Sequence, residues 1–246
     1  MVNEKEKKGN WFSELKGILW AVLIALFLRS VAFEPYNIPS SSMVPTLLVG
    51  DYLVVTKYDY GYSKHSFPFS LPIIPKGRIF ADEPKQGDVV VFKVPTNNSV
   101  DYIKRVIGLP GDKVQMIDGR LFINDKMVER KKISEEYWTI EDEGLVHYTK
   151  YLEILPNGTE HLIYEQSDTK IQDNTEAFFV PEGHYFMLGD NRDNSKDSRW
   201  FRFVPFQNLI GKARFIFYSN NGKGDVWQFW KWKDSLRLER FFEGII

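Results

Sequence analysis

The sequence predicts a mainly β protein: an N-terminal transmembrane helix, an antiparallel β-rich body with an inserted β lobe, and an aromatic C-terminal helical segment. Three observations carry this. One uncharged apolar run, Gly17 to Leu28, lies near the start. Two short runs rich in β-branched residues, Asp51 to Thr56 and Asp88 to Val94, each follow a glycine as strands do. Gly111-Asp112 and Asp118-Gly119 punctuate further short runs, the second as a hairpin turn.

Taken in order, residues 1–16 are polar, with Lys5, Lys7, Lys8 and Lys16 set against Glu4, Glu6 and Glu14. Residues 17–33 form the expected anchor. Counted from Trp11 to Phe33, the segment reaches about 35 Å at ~1.5 Å per residue, enough for a ~30 Å hydrocarbon layer. Lys16 and Arg29 flank it as snorkelling cations, with Trp11 at interface level. Arg29-Ser30-Val31-Ala32-Phe33 makes a poor cleavage site, so the segment is expected to stay attached. The lysines favour a cytoplasmic N-terminus, while Arg29 opposes it.

The body is expected over residues 34–123 and 181–220. Its strands include Asp101 to Ile107, Lys113 to Ile117, Leu121 to Ile123 and Ala213 to Tyr218. An excursion at 57–86, stiffened by Pro68, Pro72, Pro75 and Pro84, carries Phe67, Phe69, Leu71, Ile73 and Ile74. These are expected to pack back on the body rather than touch a membrane. Residues 124–180 form the lobe. Residues 221–246 interleave Trp227, Phe229, Trp230 and Trp232 with Lys231 and Lys233. Membrane-interface binding and a helix capping the β core both suit that pattern.

Composition narrows the chemistry. Among 246 residues, 32 Lys and Arg nearly balance 33 Asp and Glu, which gives no footprint for nucleic acid. No cysteine is present, so disulfides and thiol chemistry are excluded. His65, His147, His161 and His184 are scattered without ligand spacing, so no metal and no cofactor are expected.

Three stretches remain that packing does not explain. Pro39-Ser40-Ser41-Ser42-Met43-Val44-Pro45 sets three hydroxyls between two prolines, which stiffen it. Asp101-Tyr102-Ile103-Lys104-Arg105 places a lysine on a strand, where Lys104 and Arg105 leave on opposite faces. Gly189-Asp190-Asn191-Arg192-Asp193-Asn194-Ser195-Lys196-Asp197-Ser198-Arg199 is dense in turn-forming and charged residues. It lacks the spacing and terminal Glu of a calcium loop.

In this order behind an anchor, the three stretches resemble type I signal peptidases, membrane-bound serine proteases with a Ser/Lys dyad. Many members carry Gly where this chain has Ser41. The resemblance implies Ser42 as nucleophile and Lys104 as general base. It implies Ser40 as an oxyanion donor and Ser195 as the hydroxyl that orients the lysine. Asp197 with Arg199, and Asp190 with Arg105, would be structural ion pairs. Substrate would be held by Tyr36, Ile38, Pro39, Met43, Leu47, Leu53, Val91, Asp101, Tyr102 and Ile103, as an extended strand with small side chains in an A-x-A pattern. The implied partners are preproteins bearing signal peptides and the lipid bilayer; contact with the secretion machinery stays open. The implied place is the bacterial inner membrane, with the catalytic body on the outer side.

The chemistry is demanding. A free lysine near pKa ~10.4 is neutral in only about one molecule in 2,500 at pH 7, so the base must be desolvated. Two other readings fit parts of the chain. One is a different Ser/Lys protease, a self-cleaving SOS-type repressor or a conjugation-linked peptidase; the repressor is disfavoured by the anchor and by the want of an N-terminal DNA-binding helical domain. A membrane-anchored binding module would tolerate loss of Ser42 or Lys104.

Overall fold

The computed structural model describes the backbone of residues 4–67, 70–74, 76–140, 144–222, 230 and 232–246, with the side chains of all of these but 4–10, 139, 140 and 144. Pro68, Phe69, Pro75, Trp227, Phe229 and Lys231, and the side chains of the first glutamates and lysines, lie outside the described residues.

Helix α1 spans Glu4–Val31, so it begins well before the expected anchor. The polar stretch ahead of the apolar run is rich in Glu and Lys, good helix formers, and simply continues the helix. Its apolar part, Trp11–Val31, is 21 residues long and none of it is buried against the body. Pro35 biases Glu34 towards extended backbone, and the chain passes directly into strand β1, Phe33–Asn37.

The body is a seven-stranded antiparallel sheet in the order β1-β2-β14-β3-β4-β12-β13. Here β2 is Asp51–Thr56, β3 Val89–Val94 and β4 Asn97–Gly108; β12 is His184–Leu188, β13 Val204–Pro205 and β14 Leu209–Ser219. Strand β3 explains the run Val-Val-Val-Phe: both of its faces are covered. Val89 and Val91 pack with Ile38, Met43, Leu47 and Leu53, while Val90 and Phe92 pack with Tyr60, Val106 and Tyr185.

Strands β5 (Lys113–Ile117) and β6 (Arg120–Ile123) form the expected hairpin, with positive φ at both Asp118 and Gly119. They leave the main sheet, however. With β7 (Lys126–Met127) and β11 (Phe178–Phe179) they make a four-stranded sheet, so the expected boundary at residue 124 does not separate sheets. Strands β8 (Glu129–Ile140), β9 (Gly144–Ile154) and β10 (Glu160–Glu165) form a third sheet. Tyr148 and Tyr164 from it enclose Val44, which ties the lobe to the serine turn.

Two expectations hold only in part. In the 57–86 excursion Ile74 is buried, but Leu71 and Ile73 are exposed, as are Ile79 and Phe80 beyond them. Packing back is therefore partial: besides Ile74, Tyr60 lies in the core and Phe67 is half-buried. The C-terminal segment is not an extended helix among the described residues. It holds a four-residue helix, α3 (Trp232–Ser235), and a 3-10 turn at Leu238–Arg240. The chain then lies along β14, with Phe242 N–H donating to the Ile216 carbonyl and Ile245 N–H to that of Arg214. Ile245 joins the core beneath Met43.

Candidate active site

Lys104 and Arg105 are neighbours on β4 with different fates. Arg105 is fully buried and makes a two-pronged ion pair with Asp190, through Nε at 2.9 Å and Nη2 at 2.8 Å. It also donates to the carbonyls of Gly87 and Ile246, both at 2.7 Å. Lys104 Nζ instead donates to Ser42 Oγ at 2.6 Å and to the Ile103 carbonyl at 2.8 Å. Lys104 is 3% exposed. Burial pushes its amine down to about 8, partly resisted by the charges of Asp197 and Asp190 and aided by that of Arg199. With that value roughly one amine in ten is neutral at pH 7, against about one in 2,500 for a free lysine.

The serine turn is clamped from several sides. Asn191 N–H donates to the Ser42 carbonyl at 3.1 Å, and Asn191 Nδ2 to the Ser41 carbonyl at 3.2 Å. Asn194 Nδ2 donates to Ser41 Oγ at 3.0 Å, so the serine that departs from the family pattern gains a partner on the facing loop. Thr46 Oγ1 donates to Asp190 at 2.5 Å. On the far side Arg240 Nη2 donates to the Thr46 carbonyl at 2.9 Å and to Asp51 at 2.7 Å. Buried Asp51 in turn accepts from Leu48 N–H and Ser219 Oγ. Asp51 reads in sequence only as a strand opener, and Arg240 lies 189 positions away, so neither was singled out.

Asp197 pairs with Arg199 through both carboxylate oxygens at 2.9 Å and caps the short helix α2, Ser198–Phe201. It also accepts from Gly189 N–H at 3.1 Å. Burial raises its carboxyl, but Arg199 and these hydrogen bonds outweigh that and hold it below the usual range. Gly189 has a steric reason: a Cβ there would sit 2.2 Å from Ser195 Oγ and 2.5 Å from the Ser42 carbonyl. Ser195 is buried on the same wall, yet the bond to Lys104 that the resemblance implies is not formed. Its hydroxyl has no hydrogen bond of good geometry, although it helps hold down the Asp197 carboxyl. Ser40 Oγ lies 3.4 Å from Ser42 Oγ.

A cleft of about 390 Å³ opens over Ser42 and Lys104. Of the expected substrate contacts, Tyr36, Ile38, Pro39, Val91, Asp101, Tyr102 and Ile103 line it. Met43, Leu47 and Leu53 do not: each is 0% exposed, in the core beneath. Their apolar character reads the same in sequence whether a residue lines a cleft or supports it. Asn37, Val100, Asn194 and Lys196 line the cleft and were not expected there. Both walls offer free backbone edges. Strand β1 ends the sheet, and β12 pairs with β4 only from Arg105 to Gly108, leaving the edge at Val100–Lys104 uncovered by it. No cluster of His, Asp and Glu suited to a metal ion occurs among the described residues.

A family model described as signal peptidase, peptidase S26, matches residues 11–218. Signal peptidase I of Rickettsia conorii is 44% identical over 98% of this chain and 94% of its own length. That of Rickettsia canadensis is 46% identical over 94% and 92%. A solved signal peptidase I from Enterococcus faecalis V583 is 30% identical and covers 53% of this chain and 97% of its own; its TM-score of 0.31 carries no weight for overall shape. With the family model matching most of this chain and relatives matched over more than nine-tenths of both sequences, this chain belongs to the signal peptidase family of S26 serine peptidases, which are hydrolases.

Proposed function

We propose that this protein removes N-terminal signal peptides from exported preproteins, with Ser42 as nucleophile and neutral Lys104 as general base. The observation that carries the reading is the 2.6 Å contact between Lys104 Nζ and Ser42 Oγ in a site where burial lowers the amine's pKa. The neutral amine accepts the Ser42 proton as Oγ attacks the scissile carbonyl. The developing oxyanion takes hydrogen bonds from Ser42 N–H and Ser40 Oγ. The lysine, now an ammonium, gives its proton to the leaving amine. Water, deprotonated by Lys104 in turn, then hydrolyses the ester on Ser42. Arg105–Asp190 and Asp197–Arg199 hold the two loops without entering the chemistry, and Ser195 orients the lysine once substrate closes the cleft.

Substrate binds as an added strand between the free edges of β1 and β4, with alternate side chains facing apolar walls at Ile38, Val91 and Ile103. Shallow walls favour small residues, hence cleavage after A-x-A. The anchor is α1, with its N-terminus cytoplasmic and the body on the outer face of the inner membrane. Nine residues from Phe33 to Ser42 reach at most about 30 Å, which keeps the nucleophile near the bilayer.

The test is cleavage of a preprotein by the purified full chain. Cleavage directly after an A-x-A site is expected, with none by Ser42→Ala. Activity that survives Ser42→Ala would sink the assignment; activity indifferent to a bulky residue in place of either Ala would sink the specificity.

A further inference from the structure

A second cavity, of about 760 Å³, opens beside the C-terminal end of α1. Leu26 and Arg29 of the helix form one wall; Lys64, His65, Ser70, Lys93, Asn98 and Ser99 of the body form the rest, with no acidic residue in the lining. Two of these cations have carboxylate partners. Arg29 Nε donates to Glu34 at 2.8 Å, and Lys93 meets Asp101 at 2.7 Å. Buried Lys57 lies behind, shared by Glu34 at 3.0 Å and the Ser66 carbonyl at 2.6 Å. Four cations thus face two carboxylates, and Lys64 is the one without an ion pair among the described residues.

His65 is the telling group. It is 5% exposed, its Nδ1 meets Ser70 Oγ at 3.0 Å, and its Nε2 is buried without a partner. An orphaned ring nitrogen in a cavity with surplus positive charge asks for an anion. Burial, with Lys64, Lys93 and Arg78 nearby, pushes the imidazole down to about 4. It is therefore neutral near pH 7. One ring tautomer, with Nδ1 accepting from Ser70 Oγ, puts the hydrogen on Nε2 and leaves it a donor without a partner at the cavity wall.

The surroundings say where the anion comes from. Tyr62 Oη donates to the Val31 carbonyl at the helix end, and Tyr62 pairs with Ile79 in an isolated bridge. The excursion is thereby fixed against the end of the apolar span, where it presents exposed Ile79 and Phe80. A cationic cavity at the end of a membrane-spanning helix, next to exposed apolar side chains, sits at the depth of lipid head groups.

We propose that this cavity binds the phosphate of an anionic phospholipid head group, held by Arg29, Lys64, Lys93 and His65 Nε2–H. The proposal rests on the membrane placement of α1 and is independent of the Ser42–Lys104 chemistry. It assigns a role to the 57–86 excursion: to seat the body on the bilayer in a set orientation. Because Lys93 also partners Asp101 on the cleft wall, the seat and the cleft share one side chain.

The test uses the full chain with vesicles of phosphatidylcholine alone or with phosphatidylglycerol, and native mass spectrometry of lipids retained in detergent. Flotation with neutral vesicles reports the anchor; the preference for phosphatidylglycerol reports the cavity. Lys64→Gln is expected to lower that preference about fivefold, and Lys64→Glu further, from the usual weight of one basic residue at an anionic surface. His65→Phe, which fills the ring position without a donor, should lower it too. Cleavage of a short soluble peptide should be unchanged in each variant. Equal retention of both lipids by the wild type, or full preference in Lys64→Glu, would overturn the proposal. So would displacement of phosphatidylglycerol by millimolar inorganic phosphate, which would make the ligand a free anion. Failure to float with neutral vesicles would refute the anchor and the lipid source together, while peptide cleavage would still report on the dyad.

Discussion

Among the described residues two lysines are almost wholly buried, Lys104 on the cleft wall and Lys57 at the root of α1, and their surroundings differ. In both, burial lowers the amine's pKa. Lys57 lies 3.0 Å from the Glu34 carboxylate, which resists that shift and holds the ammonium as a structural cation. Lys104 donates only to a hydroxyl and a carbonyl and lies over the Tyr102 ring; the carboxylates that act on it, Asp197 and Asp190, are engaged by Arg199 and Arg105. Desolvation is common to both, so what suits Lys104 to the proposed role of base is desolvation without a contacting carboxylate. The two arginines matter for this reason. Each occupies an acid that would otherwise be left to pair with Lys104.

The largest test of the contrast is to delete each amine. Lys104→Met should cut turnover by about 10⁴ or more, as loss of a dyad member does in related chemistry. Lys104→Arg should be equally inactive, because a guanidinium cannot deprotonate here. Lys57→Met should leave peptide turnover near wild type and instead lower stability in urea by about 1–3 kcal/mol, through unmet partners at Glu34 and Ser66. A Lys57 variant as inactive as the Lys104 ones would erase the distinction.

Next in size is Ser40→Ala. A backbone donor remains, so a loss of about 10²–10³ in kcat is expected. An unchanged rate would remove Ser40 from the oxyanion site.

The pH profile sharpens the same contrast. The proposed mechanism needs neutral Lys104, and the neutral fraction grows as pH rises. Activity should therefore climb about tenfold per pH unit at low pH and level off above about 8. The limb should keep its position in Lys57→Met. A limb near 10 would mean that burial does not set the base.

The smallest effect is expected from Arg240→Met, which frees the far side of the serine turn. The prediction is about tenfold lower kcat with KM and the pH limb little changed, since placement of Ser42 suffers while the amine's surroundings do not. Arg240→Lys should recover part of it. A purely structural role would show instead as lost stability with kcat intact.

Some of this was legible in sequence because it is local. The apolar run, the continuous run rich in β-branched residues along Val89–Val94 and the Asp118-Gly119 turn depend on neighbours a few residues apart. The three motifs likewise keep their order and spacing in the chain, so the family and the β fold could be read from them. Other features needed contacts between distant segments. Whether Met43, Leu47 and Leu53 line the cleft or lie under it depends on which strands cover them. Arg240 reaches Asp51 only after the chain end folds back along β14, and His65 gains its orphaned nitrogen only when the excursion closes on α1. The sequence by itself determined which side chains exist to serve as nucleophile, base and anchor. Only the tertiary structure decided which buried lysine was kept from a carboxylate, because desolvation and charge pairing are set by what surrounds a group in space, not by its neighbours along the chain.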